Sequence, residues 1–291
     1  MKILVTGGTG MVGTALQEVI PKATFVSSKQ YELRDANLVE QMFARYSPDC
    51  VIHLAAKVGG IKANMDNLGD FYLDNIVINT NILETARKHE TKKVVSLLST
   101  CVYPNNARYP LTEDQIHNGP PHESNFAYAY AKRMLDVQSR AYRKQYGCNF
   151  ITAVPNNLFG ENDNFDLEDS HVIPAMIRKF HEAGLSGENV YLWGDGTPLR
   201  EFTYSKDLAN ILMLLIKEYN GEHPINVGNT EEHSIKEVAE MIAKIMRYDG
   251  EIIWQTDKPK GQYRKPSDNA KLREICEVHY TDFEQALTNA C

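Results

Sequence analysis

The stretch MKILVTGGTGMVG constrains this chain more than any other. An apolar, strand-like run, KILVT, feeds directly into Gly7, Gly8, Gly10 and Gly13, which satisfy both a GxxGxxG and a GxGxxG spacing ahead of a helical pattern. Glycines there permit a tight turn and a close approach of backbone to ligand. The helix that follows offers unbonded N–H groups and the positive end of its dipole to a pyrophosphate. Gly7, Gly10, Met11, Val12 and Gly13 are therefore candidate dinucleotide contacts. A glycine turn that merely joins strand to helix is the plainer alternative, and the position right after the first strand argues against it.

Downstream, strand-like and helical patterns alternate: TFVSS with LVEQMFARY, CVIHLAA with NIVINTNILETARKH, KVVSLLST with AYAKRMLDVQSRAYRKQYG, and then NFITAVP. That alternation predicts an α/β fold, a Rossmann-like doubly wound parallel sheet with helices on both faces. After Pro155 the pattern becomes loop-rich, until a helix (DLANILMLLIKEY) and a strand (PINVG) point back to the sheet. We expect a dinucleotide-binding domain over 1–157, with 203–230 returning to it. Residues 158–202 and 231–291 are expected to form a smaller C-terminal substrate-binding lobe over the sheet's carboxyl edge.

The second strand ends in FVSSKQ, where selection of NAD would place an acid for the ribose 2′-hydroxyl. Ser28 and Lys29 stand there instead, and a hydroxyl with an ammonium suits a 2′-phosphate, so NADP is expected over NAD. The net charge of -7 provides no broad basic surface, which argues against nucleic acid or an anionic membrane as partner. Neither a cleavable leader nor an apolar run of membrane-spanning length is evident, and a cytoplasmic protein is expected. Five scattered cysteines without a CxxC pair suggest neither a zinc site nor a dithiol centre, and no metal is expected.

In FAYAYAKRM, Tyr128 and Lys132 are spaced i,i+4 and share one helix face. A phenol with a pKa near 10 needs roughly 4 kcal/mol of preferential phenolate stabilisation to reach about 7. A nearby ammonium and a nicotinamide cation can supply it. Ser99, at the end of the preceding strand, could hydrogen-bond a substrate carbonyl beside Tyr128. Taken alone a YxxxK is weak; with the glycine turn and Ser99 upstream it points to carbonyl reduction.

With GGTGMVG, HLAA at 53–56, Ser99, Tyr128 and Lys132 in order, the chain resembles the extended short-chain dehydrogenase/reductase family over nearly its whole length. The further runs AAKVGGI, STCVYP, DNF with SHVIPAMIRKFHEA, WGDGTPLREF and KGQYRKPSD resemble the GDP-L-fucose synthases within it. This resemblance implies NADPH-dependent 3,5-epimerisation and 4-reduction of GDP-4-keto-6-deoxy-D-mannose. It implies that Cys101 and His171 are the epimerising acid–base pair. It further implies that Ala55, Ala56, Asn156 and Leu158 join Tyr128 and Lys132 at the cofactor, and that Lys179, Trp193, Arg200 and Lys265 meet the GDP-sugar. Two helices, NIVINTNILETARKH and AYAKRMLDVQSRAYRKQYG, resemble those that pair across a homodimer. Departures are Thr9, where bacterial members carry arginine, and ENDNF in place of PHDNF.

The chemistry gives those residue types a reason. Epimerisation beside a ketone removes a proton from one face and returns one to the other, which a thiolate with a lowered pKa and an imidazole can do. A lone cysteine at a strand end is otherwise more often core than reagent. Other nucleotide-sugar epimerases or reductases, and a catalytically silent NADP-binding regulator, remain alternatives.

Overall fold

The apolar runs of the first half become the strands of one parallel sheet, and the helical patterns cover it. The computed structural model describes residues 1–167, 170–258 and 263–291. Glu168 and Asp169, before SHVIP, and Lys260 to Gln262 of the KGQYRKPSD run lie outside the described residues. In chain order β1 (Ile3–Thr6), α1 (Met11–Val19), β2 (Thr24–Val26), α2 (Ala36–Tyr46), β3 (Cys50–His53), α3 (Ile61–Asp66), α4 (Leu68–Lys88), β4 (Lys93–Leu97), α5 (Phe126–Tyr146) and β5 (Phe150–Val154) build the first part. The sheet runs β2-β1-β3-β4-β5 with every pairing parallel. Strand order reverses between β1 and β3, which opens the crevice where doubly wound sheets bind ligands.

The second part continues with β6 (Asn157–Phe159), α6 (Val172–Ser186), β7 (Val190–Trp193), β8 (Leu199–Tyr204), α7 (Ser205–Glu218), β9 (Ile225–Asn226), β10 (Glu232–Ser234), α8 (Ile235–Ile245), β11 (Ile252–Gln255), α9 (Ala270–Ile275) and α10 (Phe283–Ala290). β9 pairs parallel with β5 as the sixth strand of the main sheet. Strands β10, β8 and β6 form a second sheet, and β11 pairs with β7 in a third. These short strands fall in a stretch whose sequence reads as loop. They are three to six residues long, too brief for a period-two signal to stand out from the glycines and polar residues around them.

Alternation along the main strands fills both faces of the sheet. Val5, Ile52, Val95 and Ile151 point into one core with α1 and α7, while Leu4, Val51, Val94 and Phe150 point into the other with α2, α4 and α5. A third core, with Phe159, Phe180, Phe202, Val238 and Phe283, lies under α6, α8 and α10. Leu272 of α9 joins the first core, so this helix packs with the main sheet.

Local chemistry sets the element ends. The carboxylate of Asp35 accepts from the Asn37 and Leu38 amides to start α2, and a Ser234/Glu237 capping box starts α8. Gly147 (φ 71°) closes α5 in the left-handed conformation that glycine adopts without penalty. At the start of β4 the buried ammonium of Lys93 donates to the carbonyls of Leu215, Ile216 and Tyr219 at 2.9, 2.8 and 2.7 Å. A cation there satisfies the orphan carbonyls and negative dipole end of α7, binding the returning segment to the sheet.

Candidate active site

The glycine turn forms the crevice floor. A Cβ on Gly13 would lie 2.5 Å from the Gly7 carbonyl oxygen, and one on Gly7 (φ 70°) would lie 2.9 Å from the Ala55 amide nitrogen. The turn is therefore as tight as backbone allows, and Ala55, in the HLAA run, abuts it. Gly10 caps α1 without any side-chain hydrogen bond, leaving the first helical amides available to an anion. Ser28 and Lys29 follow β2 at the surface, and Lys29 has no ion pair among the described residues. The set fits a dinucleotide carrying an additional phosphate.

His53, at the end of β3, is a buried histidine that motif reasoning left unassigned. Its Nδ1 lies 2.8 Å from the Thr6 hydroxyl of β1, its Nε2 3.1 Å from Asn79 Oδ1 of α4, and Asn79 Nδ2 donates to the Ala131 carbonyl of α5 at 3.3 Å. Burial, followed by the charge of Lys132, pushes the imidazole down to about 3, so at neutral pH it is an uncharged connector. It links the strand that carries the glycine turn to the helix that carries Tyr128.

The end of β4 turns into a short 3₁₀ helix, Thr100–Val102, capped by Ser99, whose Oγ accepts from the Cys101 amide at 3.5 Å. Cys101 is half-buried beside this cap. Burial pushes its thiol up, against the Ser99 hydrogen bond and the charges of Lys265, Lys132 and Arg133, which favour the thiolate. The expected lowering is thus present as a cause, and burial outweighs it.

On α5, Lys132 is buried and donates to the Leu97 carbonyl at 2.9 Å, with Nζ 5.9 Å from the centre of the Tyr128 ring. Burial lowers its pKa to about 8. Tyr128 packs edge-on against Phe71 at 6.4 Å. Burial, then the Cys101 side chain, push its phenol up rather than down. In this environment the phenol is a proton donor, and forming its phenolate requires further positive charge at the site.

The cationic candidates separate into two groups. Lys265 donates to the Thr100 carbonyl at 3.0 Å, which brings the tail onto the Cys101 turn, and it and Arg200 repel each other electrostatically. Among the described residues Arg200 donates only to the Leu199 carbonyl, at 2.7 Å. Burial lowers both pKa values. Lys179 donates to the Tyr191 carbonyl at 2.9 Å, and Trp193, two residues further along β7, is 61% exposed. None of the three cations has a carboxylate partner among the described residues, an arrangement that suits a bound anion. His171 caps α6 as an exposed residue, and desolvation by the groups around its imidazole lowers its pKa. No hydrogen bond or ion pair joins it to the Cys101 cluster among the described residues.

Asn156 is not free at the sheet edge. Its amide nitrogen donates to Glu201 Oε2 at 3.1 Å and to the Asn229 carbonyl at 2.7 Å, and its oxygen accepts from Thr203 at 2.6 Å. Glu201 also accepts from the amide and hydroxyl of Ser267. This buried carboxylate, next to Arg200 in sequence, therefore ties β8, Asn156 and the Lys265 tail together, and linear spacing gave no sign of it. Leu158 packs against the first core. Among the described residues no group of three or more His, Cys, Asp or Glu could hold a metal ion, and no helix is long and apolar enough to cross a membrane.

This crevice, with its glycine floor and with Ser99, Tyr128 and Lys132 near the end of β4, is that of a dinucleotide-dependent enzyme. Residues 3–228 match the model of the NAD dependent epimerase/dehydratase family, and the chain belongs to that family. Within it, the chain is 42% identical to a probable GDP-L-fucose synthase of Drosophila melanogaster, covering 98% of this chain and 94% of that one. It is 40% identical to the GDP-L-fucose synthase of Dictyostelium discoideum, over 99% and 93%. A crystal structure of a GDP-L-fucose synthetase from Naegleria fowleri bound to NADP superposes with a TM-score of 0.93 at 42% identity, covering 99% of this chain and 92% of that one.

Proposed function

We propose that this chain converts GDP-4-keto-6-deoxy-D-mannose to GDP-L-fucose, epimerising C3 and C5 and then reducing the C4 ketone. The observation that carries the reading is the convergence of Ser99, Cys101, Tyr128, Lys132, Arg133 and Lys265 at the end of β4, where three cations gather around one thiol. The high identity to GDP-L-fucose synthases supports the substrate, and the NADP-bound relative supports the cofactor. In this reading residues 1–157 and 203–230 hold the dinucleotide, and 158–202 with 231–291 hold the sugar nucleotide.

Cys101, as thiolate, takes the proton from the carbon beside the ketone, and the electrons pass to the C4 oxygen as an enolate. Ser99 and the Tyr128 hydroxyl donate to that oxygen, and His171 returns a proton to the opposite face of the carbon. Both carbons flank the same ketone, so one pair serves both once solvent has taken the proton from Cys101 and returned one to His171. NADPH, when bound, supplies the hydride for C4. Tyr128 then gives its proton to the alkoxide, and the Lys132 ammonium stabilises the phenolate left behind. Arg200 and Lys265, with Lys179 farther out, neutralise the diphosphate, and Trp193 offers an exposed aromatic face to the nucleotide.

The test is mass spectrometry of the product formed from GDP-4-keto-6-deoxy-D-mannose and NADPH in heavy water. Solvent deuterium at both C3 and C5 of the reduced sugar is expected. Reduction without carbon label would leave a 4-ketoreductase, and binding of NADPH without turnover would leave a silent regulator. Five cysteines, all free thiols, support a cytoplasmic location. We also read the chain as a homodimer, since Tyr72 and Leu73 of α4 and Val137 and Tyr146 of α5 are exposed on helices that pack together. Sedimentation at micromolar concentration should give twice the chain mass; a monomer alone would remove this part.

A further inference from the structure

Arg133 follows Lys132 on α5 and is buried, yet its guanidinium has no carboxylate partner among the described residues. Its Nε donates to the Val102 carbonyl at 2.6 Å and its Nη1 to the Gly119 carbonyl at 2.8 Å, while it stacks 5.3 Å from the centre of the Tyr130 ring. The remaining nitrogen, Nη2, is buried without a hydrogen bond among the described residues. A buried cation left with two carbonyls and an orphan nitrogen costs free energy, and proteins retain such groups where an opposite charge forms nearby. Val102 is the last residue of the 3₁₀ turn whose middle residue is Cys101. The bond to the Val102 carbonyl therefore holds this cation one residue from Cys101.

We infer that Arg133 clamps the Cys101 turn through the Val102 carbonyl and is the resident counter-charge for the Cys101 thiolate, a positioning residue in the epimerisation proposed above. The groups that bear on the thiol come from three elements: Ser99 from its own turn, Lys132, Arg133 and Tyr128 from α5, and Lys265 from the tail. Lys132 is held at the Leu97 carbonyl and is shared with Tyr128. Lys265 faces Arg200 and, in our reading, the substrate's phosphates. Arg133 has no such second duty and a planar fork fixed at two carbonyls, so its charge stays at the turn whether or not substrate is bound.

This inference rests on Cys101 being the epimerising base, and a readout without substrate separates the two. Iodoacetamide alkylation of Cys101 in the full-length chain would be followed by mass spectrometry of its peptide from about pH 6 to 10, because only the thiolate reacts. Arg133→Gln, which keeps a donor and removes the charge, should move the half-maximal alkylation pH upward by about one unit, a tenfold loss of thiolate below it. Arg133→Lys should stay within about half a unit of the parent chain, since it keeps the charge. A glutamine profile that overlays the parent, or lysine and glutamine profiles that move together, would overturn the counter-charge role. Should Arg133→Gln not fold, the lysine variant decides: an upward move of about one unit or more would show that fork geometry, not charge, sets the thiol. Absence of C3 and C5 labelling in the parent chain would instead sink the epimerase reading and leave the alkylation result standing.

Discussion

Cys101→Ser should lose solvent deuterium at both C3 and C5 and slow formation of GDP-L-fucose on the order of 10²- to 10⁴-fold. A hydroxyl occupies the same place on the turn, so the Ser99 cap and the packing against the second core survive. What disappears is an acid far stronger than a hydroxyl, whose thiolate form the nearby charges of Lys265, Lys132 and Arg133 favour against its burial. Mass spectrometry of product made in heavy water reads the label, and the rate of NADPH oxidation reads turnover. Label at both carbons with a rate within about tenfold of the parent would return Cys101 to a packing role.

Tyr128→Phe should do the opposite to the two half-reactions. The ring keeps its edge-on contact with Phe71, and Lys132 keeps its bond to Leu97, so the fold and the NADPH site should persist. Loss of the hydroxyl removes the proton donor to the C4 oxygen, and reduction should fall on the order of 10²- to 10⁴-fold. In the proposed mechanism exchange at C3 and C5 runs through Cys101 and His171 with Ser99 still donating to the C4 oxygen, so exchange should slow less than reduction and labelled, unreduced ketosugar should accumulate. Retention of reduction within about tenfold would mean that another group protonates the oxygen. Read together, the two variants separate the half-reactions: one stops carbon exchange, and the other falls mainly on reduction.

Much of this arrangement was legible in the sequence, for reasons that differ along the chain. The glycine turn was readable because Gly7 and Gly13 have no room for a Cβ, a constraint that only residue type can meet. The Tyr128 and Lys132 pair was readable because helical periodicity puts them on one face. The lobe strands β6 to β8 were not, since each is held by partners remote in sequence. Nor were His53, Arg133 and Glu201 assigned roles. Their significance lies in being polar and buried, and burial is a property of the folded arrangement. The fall of the Lys265 ammonium onto the Thr100 carbonyl, 165 residues away, is likewise invisible to spacing.

Glu201 makes the end of this chain indispensable to its beginning. Its carboxylate takes donors from Ser267 in the tail and Asn156 at the exit of β5, and the tail bond is the shortest of them. A chain cut before Ser267 would leave an acid in the interior with most of its donors gone, and its charged form would become costly. The acid would then take up a proton or draw in water. A terminal segment that looks like an appendage in the primary structure thus acts as a keystone.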